Sequence, residues 1–121
     1  MCGVVGMKAT YGLVSRRGVF PLAFSLDHVG PLTRTVRDNA LMLDLLAGHD
    51  PLDPGSVDTA IGGCTAQLER GVRGVKIGVI RHFYTRDMEG NPEMVAGIEA
   101  ALKLLESLGA EVREVETAPL S

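Results

Sequence analysis

The sharpest hydrophobic rhythm in the chain lies near its C-terminal end. Met94, Ile98, Ala101, Leu102, Leu105 and Leu108 fall on one stripe at helical spacing, while Glu99, Lys103 and Glu106 lie off it. This pattern predicts an amphipathic helix from Pro92 to Leu108. Asn91 can cap its first turn, Pro92 sits where a helix has no use for an N–H, and Gly109 stops it. The β-branched run Val75–Ile80 before the helix, and Ala110–Glu116 after it, read as strands. Together they predict a β-α-β unit over 75–116, with a right-handed crossover if the strands are parallel.

A second helix is predicted from Val36 to Ala47. Thr35 is its N-cap, Asp38 stands in the capping-box position, and Gly48 is the expected C′ residue. Its interior, Ala40-Leu41-Met42-Leu43-Asp44-Leu45-Leu46-Ala47, is apolar on nearly every face, so it should be buried on several sides. A chain of 121 residues has little with which to surround it. Residues 1–35 alternate short apolar runs with Gly and Pro and read as extended segments and loops of a larger sheet. His49–Ser56 is a Pro/Asp/Gly-rich loop, 65–70 a short helical turn, and 71–74 a second loop. The chain is thus divided into 1–50, a loop region 51–74, and the strand–helix–strand unit 75–121.

Composition narrows the class. Hydrophobic residues make up 45% and charged residues 22%, which suits a folded globular chain. Twelve Lys and Arg against 15 Asp and Glu leave a net charge of −3, so there is no basic footprint for nucleic acid or anionic lipid. No apolar run is long enough to span a bilayer. Cys2 and Cys64 are isolated and form no metal-binding spacing, which fits free thiols in a reducing, cytoplasmic setting. No Gly pattern suits a phosphate loop, and the turn Arg81–Arg86 lacks a glycine that would let a dinucleotide approach. His28, His49 and His82 lie in separate segments and read as hydrogen-bonded or exposed loop residues. Ser25, Asp27 and His28 could make a triad only on paper, since no nucleophile-elbow sequence surrounds them. Arg16 and Arg17, with Arg34 and Arg37 later, are too sparse for nucleic-acid binding and are expected to pack against backbone carbonyls or carboxylates.

One stretch is far more specific. Cys2-Gly3-Val4-Val5-Gly6-Met7-Lys8-Ala9-Thr10-Tyr11-Gly12-Leu13-Val14-Ser15-Arg16 resembles the segment closing the amidase signature, with Ala9 where that family usually has Pro. The resemblance continues through Gly18-Val19-Phe20, through Ser25–Asp38, into Leu45–Pro51, and on to the strand–helix–strand region. It implies a fragment of the amidase-signature α/β fold, a mixed sheet flanked by helices. It also implies hydrolysis of a small carboxamide by a Ser–Ser–Lys triad and a backbone oxyanion hole, with no metal or organic cofactor.

In that family pattern the triad precedes the Cys-Gly-Val-Val-Gly segment. The resemblance therefore places no catalytic residue in this chain, and the chain alone is expected to be inactive. Lys8 matches a lysine that is not the catalytic base. The segment Val19–Gly30 resembles the loop bordering the substrate pocket, and Phe20, Ser25 and Asp27 are the expected substrate-binding positions. Asp27 capping a turn is the competing reading. Two alternatives accompany the small-amide hydrolase: a glutamine-hydrolysing A subunit of a tRNA-dependent amidotransferase, and a non-catalytic binding or assembly chain. Pro21-Leu22-Ala23-Phe24 is closer to the stand-alone amidases. The expected partners are a small amide in the full-length enzyme and other copies of the chain through exposed apolar surface, with neither nucleic acid nor membrane.

Overall fold

In a computed structural model, residues 3–118 are described. Cys2 lies outside the described residues. The chain separates into two compact units between Glu69 and Arg70. The loop region 51–74 is divided between them, and each unit is described by itself.

The first unit holds β1 (Val5–Gly6), β2 (Leu32–Thr33), α1 (Val36–Leu46) and α2 (Cys64–Gln67), the last followed by a 3₁₀ turn at Leu68–Arg70. β1 and β2 pair antiparallel, Val5 opposite Thr33 and Gly6 opposite Leu32. The rest of the glycine-rich region is turns and loops. Asn39, only 2% exposed, staples this pair to α1 by donating from Nδ2 to the carbonyls of Val5 (3.1 Å) and Pro31 (3.2 Å). Such a buried amide is tolerated because its Nδ2 group donates to two carbonyls and is not left without acceptors.

At the start of α1 the Thr35 hydroxyl accepts from Asp38 N, as expected of that cap. The far end differs from the sequence reading. Ala47 leaves the helix in an extended conformation, and Gly48 is not left-handed. Ala47 instead bridges Val14, and Gly48 N donates to the carbonyl of Leu13 at 3.1 Å. A strand-like contact thus satisfies the helix exit, and no αL turn is needed. Asp44, on the same helix, caps α2 by accepting from Cys64 N (2.6 Å) and Thr65 N (3.0 Å).

The core of this unit is Ala9, Leu13, Val14 and Leu43, flanked by Val29, Ala47, Ile61 and Cys64. Only Asn39, Ala40 and Leu43 of α1 are buried; the expected burial on several sides is not met within this chain. Truncating Leu43, which is 5% exposed, to Ala should cost about 2–5 kcal/mol by opening a cavity where little can collapse. Urea unfolding checks this, with Leu45→Ala as the near-neutral comparison.

The second unit is the predicted β-α-β. β3 (Lys76–Val79) and β4 (Glu111–Glu114) are parallel, with Ile77 opposite Val112, and α3 (Pro92–Ser107) joins them. Asn91 caps α3 through its side chain at 2.9 Å, with Pro92 at the first position. Gly74 and Gly109 lie side by side at the sheet entrance, both at positive φ, with Gly74 N donating to Gly109 O.

The covered stripe of α3 differs in detail from the sequence reading. Ile98, Leu102 and Leu105 are half-buried and Val95 joins them, whereas Met94 and Leu108 are exposed. Glu99 lies on the covered side. It accepts both Nε and Nη2 of Arg81, at 2.9 and 3.0 Å, and the Tyr84 hydroxyl at 3.2 Å. Arg81 holds Glu99 below the usual carboxylate value, and burial followed by Glu99 pushes Tyr84 up. A π-helical turn, Phe83–Asp87, fills the link after β3. His82, 5% exposed, anchors it from Nδ1 to Asp87 (3.0 Å), while Nε2 accepts from Thr117 N (3.3 Å).

Candidate functional site

The site grows from one residue whose backbone and side chain do separate work. Arg16 N donates to Asp53 Oδ2 at 2.8 Å, and its Nη2 lies 3.5 Å from Oδ1 of the same carboxylate. The guanidinium lies between two rings, 4.4 Å from the Tyr11 centroid and 5.1 Å from Phe24. Nη1 donates to the carbonyl of Phe24, which also accepts the Tyr11 hydroxyl at 3.3 Å. Both side chains of the ion pair are nearly sealed, at 8% and 5% exposure. Arg suits this place because its planar, weakly hydrated head can stack and hydrogen-bond together. Nε and Nη2 nonetheless find no hydrogen-bond partner, so the Asp53 charge and the rings carry their compensation.

Three segments meet at this clamp. The 50–56 loop is built by aspartates turned on their own backbone: Asp50 accepts Leu52 N and Asp53 accepts Gly55 N, each at 2.9 Å. Ser15 ties to the loop by donating to Asp50 at 2.7 Å. A Cβ on Gly55 would fall 2.0 Å from Arg16 Nη2, so glycine is what lets the guanidinium in. The third segment is the turn at 22–27. Its carboxylate staple is Asp27, which accepts from Leu22 N at 3.0 Å and Ala23 N at 3.0 Å.

Between that turn and the 52–54 loop is a cavity of about 350 Å³. Apolar Val19, Pro21, Phe24, Leu52 and Pro54 line it together with charged Arg16, Asp27, Asp53 and the exposed Arg17. Of the three positions expected from the sequence, Asp27 lines this cavity and also caps the turn. Phe20, 94% exposed, lies just before that turn and Ser25 on its exposed part, both outside the lining. Arg16, Phe24 and Asp53 were not among the expected site residues, although the packing of Arg16 on a carbonyl and a carboxylate was.

The arrangement can bind but holds no assembled nucleophile. Ser15 sits beside Asp50, but the Ser15 hydroxyl followed by Leu52 N holds that carboxyl below its usual range, making it a poor base. His28 is occupied, close to Lys8 Nζ at 3.2 Å on one side and the Leu26 carbonyl at 2.6 Å on the other. Burial and the nearby Asp44 charge push the Cys64 thiol up, away from thiolate chemistry. Among the described residues no group of three His, Cys, Asp or Glu is placed to hold a metal, and no helix is long and apolar enough to cross a membrane.

Three carboxylates of this unit are depressed by donors formed only on folding. Arg16 N and Gly55 N lower Asp53, the Ser15 hydroxyl lowers Asp50, and Thr65 lowers Asp44. A depressed carboxylate stabilises the fold fully above its unfolded value near 4, and that stability is lost as pH falls through the lower folded value. The first unit should therefore hold a plateau from about pH 5 upward and weaken below about pH 4. Circular dichroism against pH checks this, and Asp53→Asn should flatten the acid limb. Unchanged stability down to about pH 2 would contradict the assignment.

The profile of the Amidase family matches residues 1–121. The chain belongs to the amidase family. This amidase segment is 47% identical over 114 residues to the glutamyl-tRNA(Gln) amidotransferase A subunit of Geobacter sp. (strain M21), covering 94% of this chain and 23% of that protein. The same protein of Moorella thermoacetica (strain ATCC 39073 / JCM 9320) is 50% identical over 113 residues, covering 93% of this chain and 23% of that protein. Among solved structures, the glutamyl-tRNA(Gln) amidotransferase A subunit of Thermotoga maritima superposes with a TM-score of 0.81 at 43% identity, covering 94% of this chain and 25% of that one. Native peptide amidase from Stenotrophomonas maltophilia gives 0.78 at 36% identity, covering 94% and 23%. The segment thus spans about a quarter of the length of these relatives, and its α/β architecture is part of the amidase-signature fold.

Proposed function

We propose that these residues form the part of an amidase domain that borders the substrate pocket, in an enzyme hydrolysing a small carboxamide to carboxylate and ammonia. The observation that carries this reading is the Arg16 clamp: a sealed ion pair that fixes the 22–27 turn and a wall of the adjoining cavity. In this proposal the Ser–Ser–Lys machinery is supplied by other segments of the domain, so residues 1–121 contribute shape and no reacting group. Asp27 acts through the turn it staples, while Ser25 on that turn and Phe20 just before it reach substrate from the exposed side. A cytoplasmic setting and a cofactor-free reaction belong to the same proposal.

A second reading has a specific observation behind it. The relatives of Geobacter and Moorella, at 47% and 50% identity, are both glutamyl-tRNA(Gln) amidotransferase A subunits. On that reading the amide would be glutamine and the partners the other chains of an amidotransferase.

The 121-residue chain by itself should release no ammonia from a panel of simple carboxamides and should not react with a serine-directed probe. A peptide acylated at Ser15, Ser25 or Ser56 would show that the chemistry resides here after all.

A further inference from the structure

The ladder between β3 and β4 is continued past its end by a side chain. Glu111 N donates to the Val75 carbonyl and Val115 N to the Val79 carbonyl, following the parallel register. The same rhythm would hand Thr117 N to the Arg81 carbonyl. That carbonyl is turned into the link after β3, where it accepts Tyr84 N at 3.2 Å and the Thr85 hydroxyl at 2.9 Å. Thr117 N donates instead to Nε2 of His82, at 3.3 Å. The imidazole stands in for the missing rung.

Its other nitrogen fixes the tautomer. Nδ1 lies 3.0 Å from Asp87 Oδ2, and a carboxylate oxygen accepts, so Nδ1 carries the hydrogen and Nε2 is bare. Ring and carboxylate are nearly sealed, at 6% and 7% exposure, and the Phe83 ring meets the imidazole edge-on at 4.8 Å. A second proton can enter only at Nε2. There it would set one N–H against another, while leaving the Nδ1–Asp87 bond in place and charge-assisted. The proton therefore keeps the hold on the link and cancels the hold on Thr117.

The other charged groups at this corner are paired among themselves. Arg86 Nε, on the link, lies 3.7 Å from Oδ1 of Asp87. Arg81, at the end of β3, is engaged by Glu99 of α3 and Glu114 of β4. The Glu99 hydrogen bond raises Arg81, and Arg81 lowers Glu99. Both stay ionised over the range of about pH 5 to 8 in which histidines change charge, so neither supplies a switch there.

We propose that His82 is a proton-operated latch on the exit of β4. Neutral, it holds Thr117 as an added rung of the sheet; protonated, it lets residues 116–118 leave while it still grips Asp87. The device belongs to this β-α-β unit and does not rest on the amidase reading.

Hydrogen–deuterium exchange of the 121-residue chain, read residue by residue by mass spectrometry and divided by the intrinsic rate at each pH, tests this and tolerates an associated protein. Protection of the Thr117 amide should fall about fivefold from about pH 8 to about pH 5, the effect of losing one ordinary hydrogen bond. Val115, whose acceptor is a backbone carbonyl, should keep its protection. In His82→Gln an amide oxygen can replace Nε2 and takes no proton, so the pH response of Thr117 should vanish. Thr117 is exposed and lies beyond β4, so Thr117→Pro removes the donor and spares the fold. Linkage then requires the pH at which His82 takes its proton, followed by exchange of its C2 hydrogen, to rise in that variant. Thr117 protection equal at the two pH values, an equal loss at Val115, a response that persists in His82→Gln, or a His82 titration unmoved or lowered by Thr117→Pro would each overturn the proposal.

Discussion

Gly12→Ala is expected to unfold the first unit or leave it barely stable. Gly12 has φ +78°, a left-handed conformation that costs an L-residue about 1–2 kcal/mol. The added methyl also has nowhere to go. It would lie 2.1 Å from the carbonyl oxygen of Gly55 and 3.2 Å from a Val57 methyl. The first is backbone in the loop that carries Asp53, so it cannot swing aside as a flexible side chain would. Overpacking of this kind adds about 1–3 kcal/mol, and more if the Gly12 O to Val57 N hydrogen bond at 2.9 Å is also lost. Small units have only several kcal/mol in hand. Gly18→Ala is the internal control. Its φ of +79° is almost the same, but nothing lies within 4 Å of the new Cβ, so only the conformational cost should appear. Urea or thermal unfolding of the two variants separates them, and equal losses would contradict the packing argument.

The second large effect is on association. On α1, Leu45 is 81% exposed and Val36 60%, with Leu41, Met42 and Leu46 also open. Leu22 on the turn and Phe20 just before it are almost fully exposed. Apolar surface on this scale is removed from water when a partner is available. At tens of micromolar the 121-residue chain should sediment as oligomers and brighten a hydrophobic dye. Burying one leucine is worth about 2 kcal/mol, so Leu45→Glu should weaken association about thirtyfold. A dye-silent monomer, or a Leu45→Glu variant that associates as before, would contradict this.

How much of this is legible in the sequence follows the range of the interactions involved. Thr35 and Asn91 act on residues two or three positions away, so the starts of α1 and α3 can be read from caps alone. The β3–α3–β4 unit is equally legible, because its strands and helix each carry their own period. Glu99 reads as solvent-facing because its charge looks like surface, while the Arg81 fork that half-buries it comes from 18 residues earlier. Gly48 looks like a left-handed stop, but the helix exit is set by Leu13 and Val14 from far along the chain. The two-residue pairing of β1 with β2 is too short to leave any pattern.

The site shows the same division. The Asp27 turn is local and is visible as a competing reading. The Arg16–Asp53 clamp spans 37 residues, and no spacing rule could pair them. Composition says only that so apolar a helix needs more protein around it than 121 residues supply.

The central claim is that these residues are a working, non-catalytic quarter of an amidase domain. The most direct measurement replaces the matching segment of Stenotrophomonas maltophilia peptide amidase, which this chain covers to 94% of itself, with residues 3–118. Ammonia release by the folded chimera is then measured beside release by the isolated chain. The account predicts turnover by the chimera, no turnover by the chain, and a serine probe that labels only outside the transplanted residues. A folded chimera without turnover, or a label within residues 3–118, would contradict it.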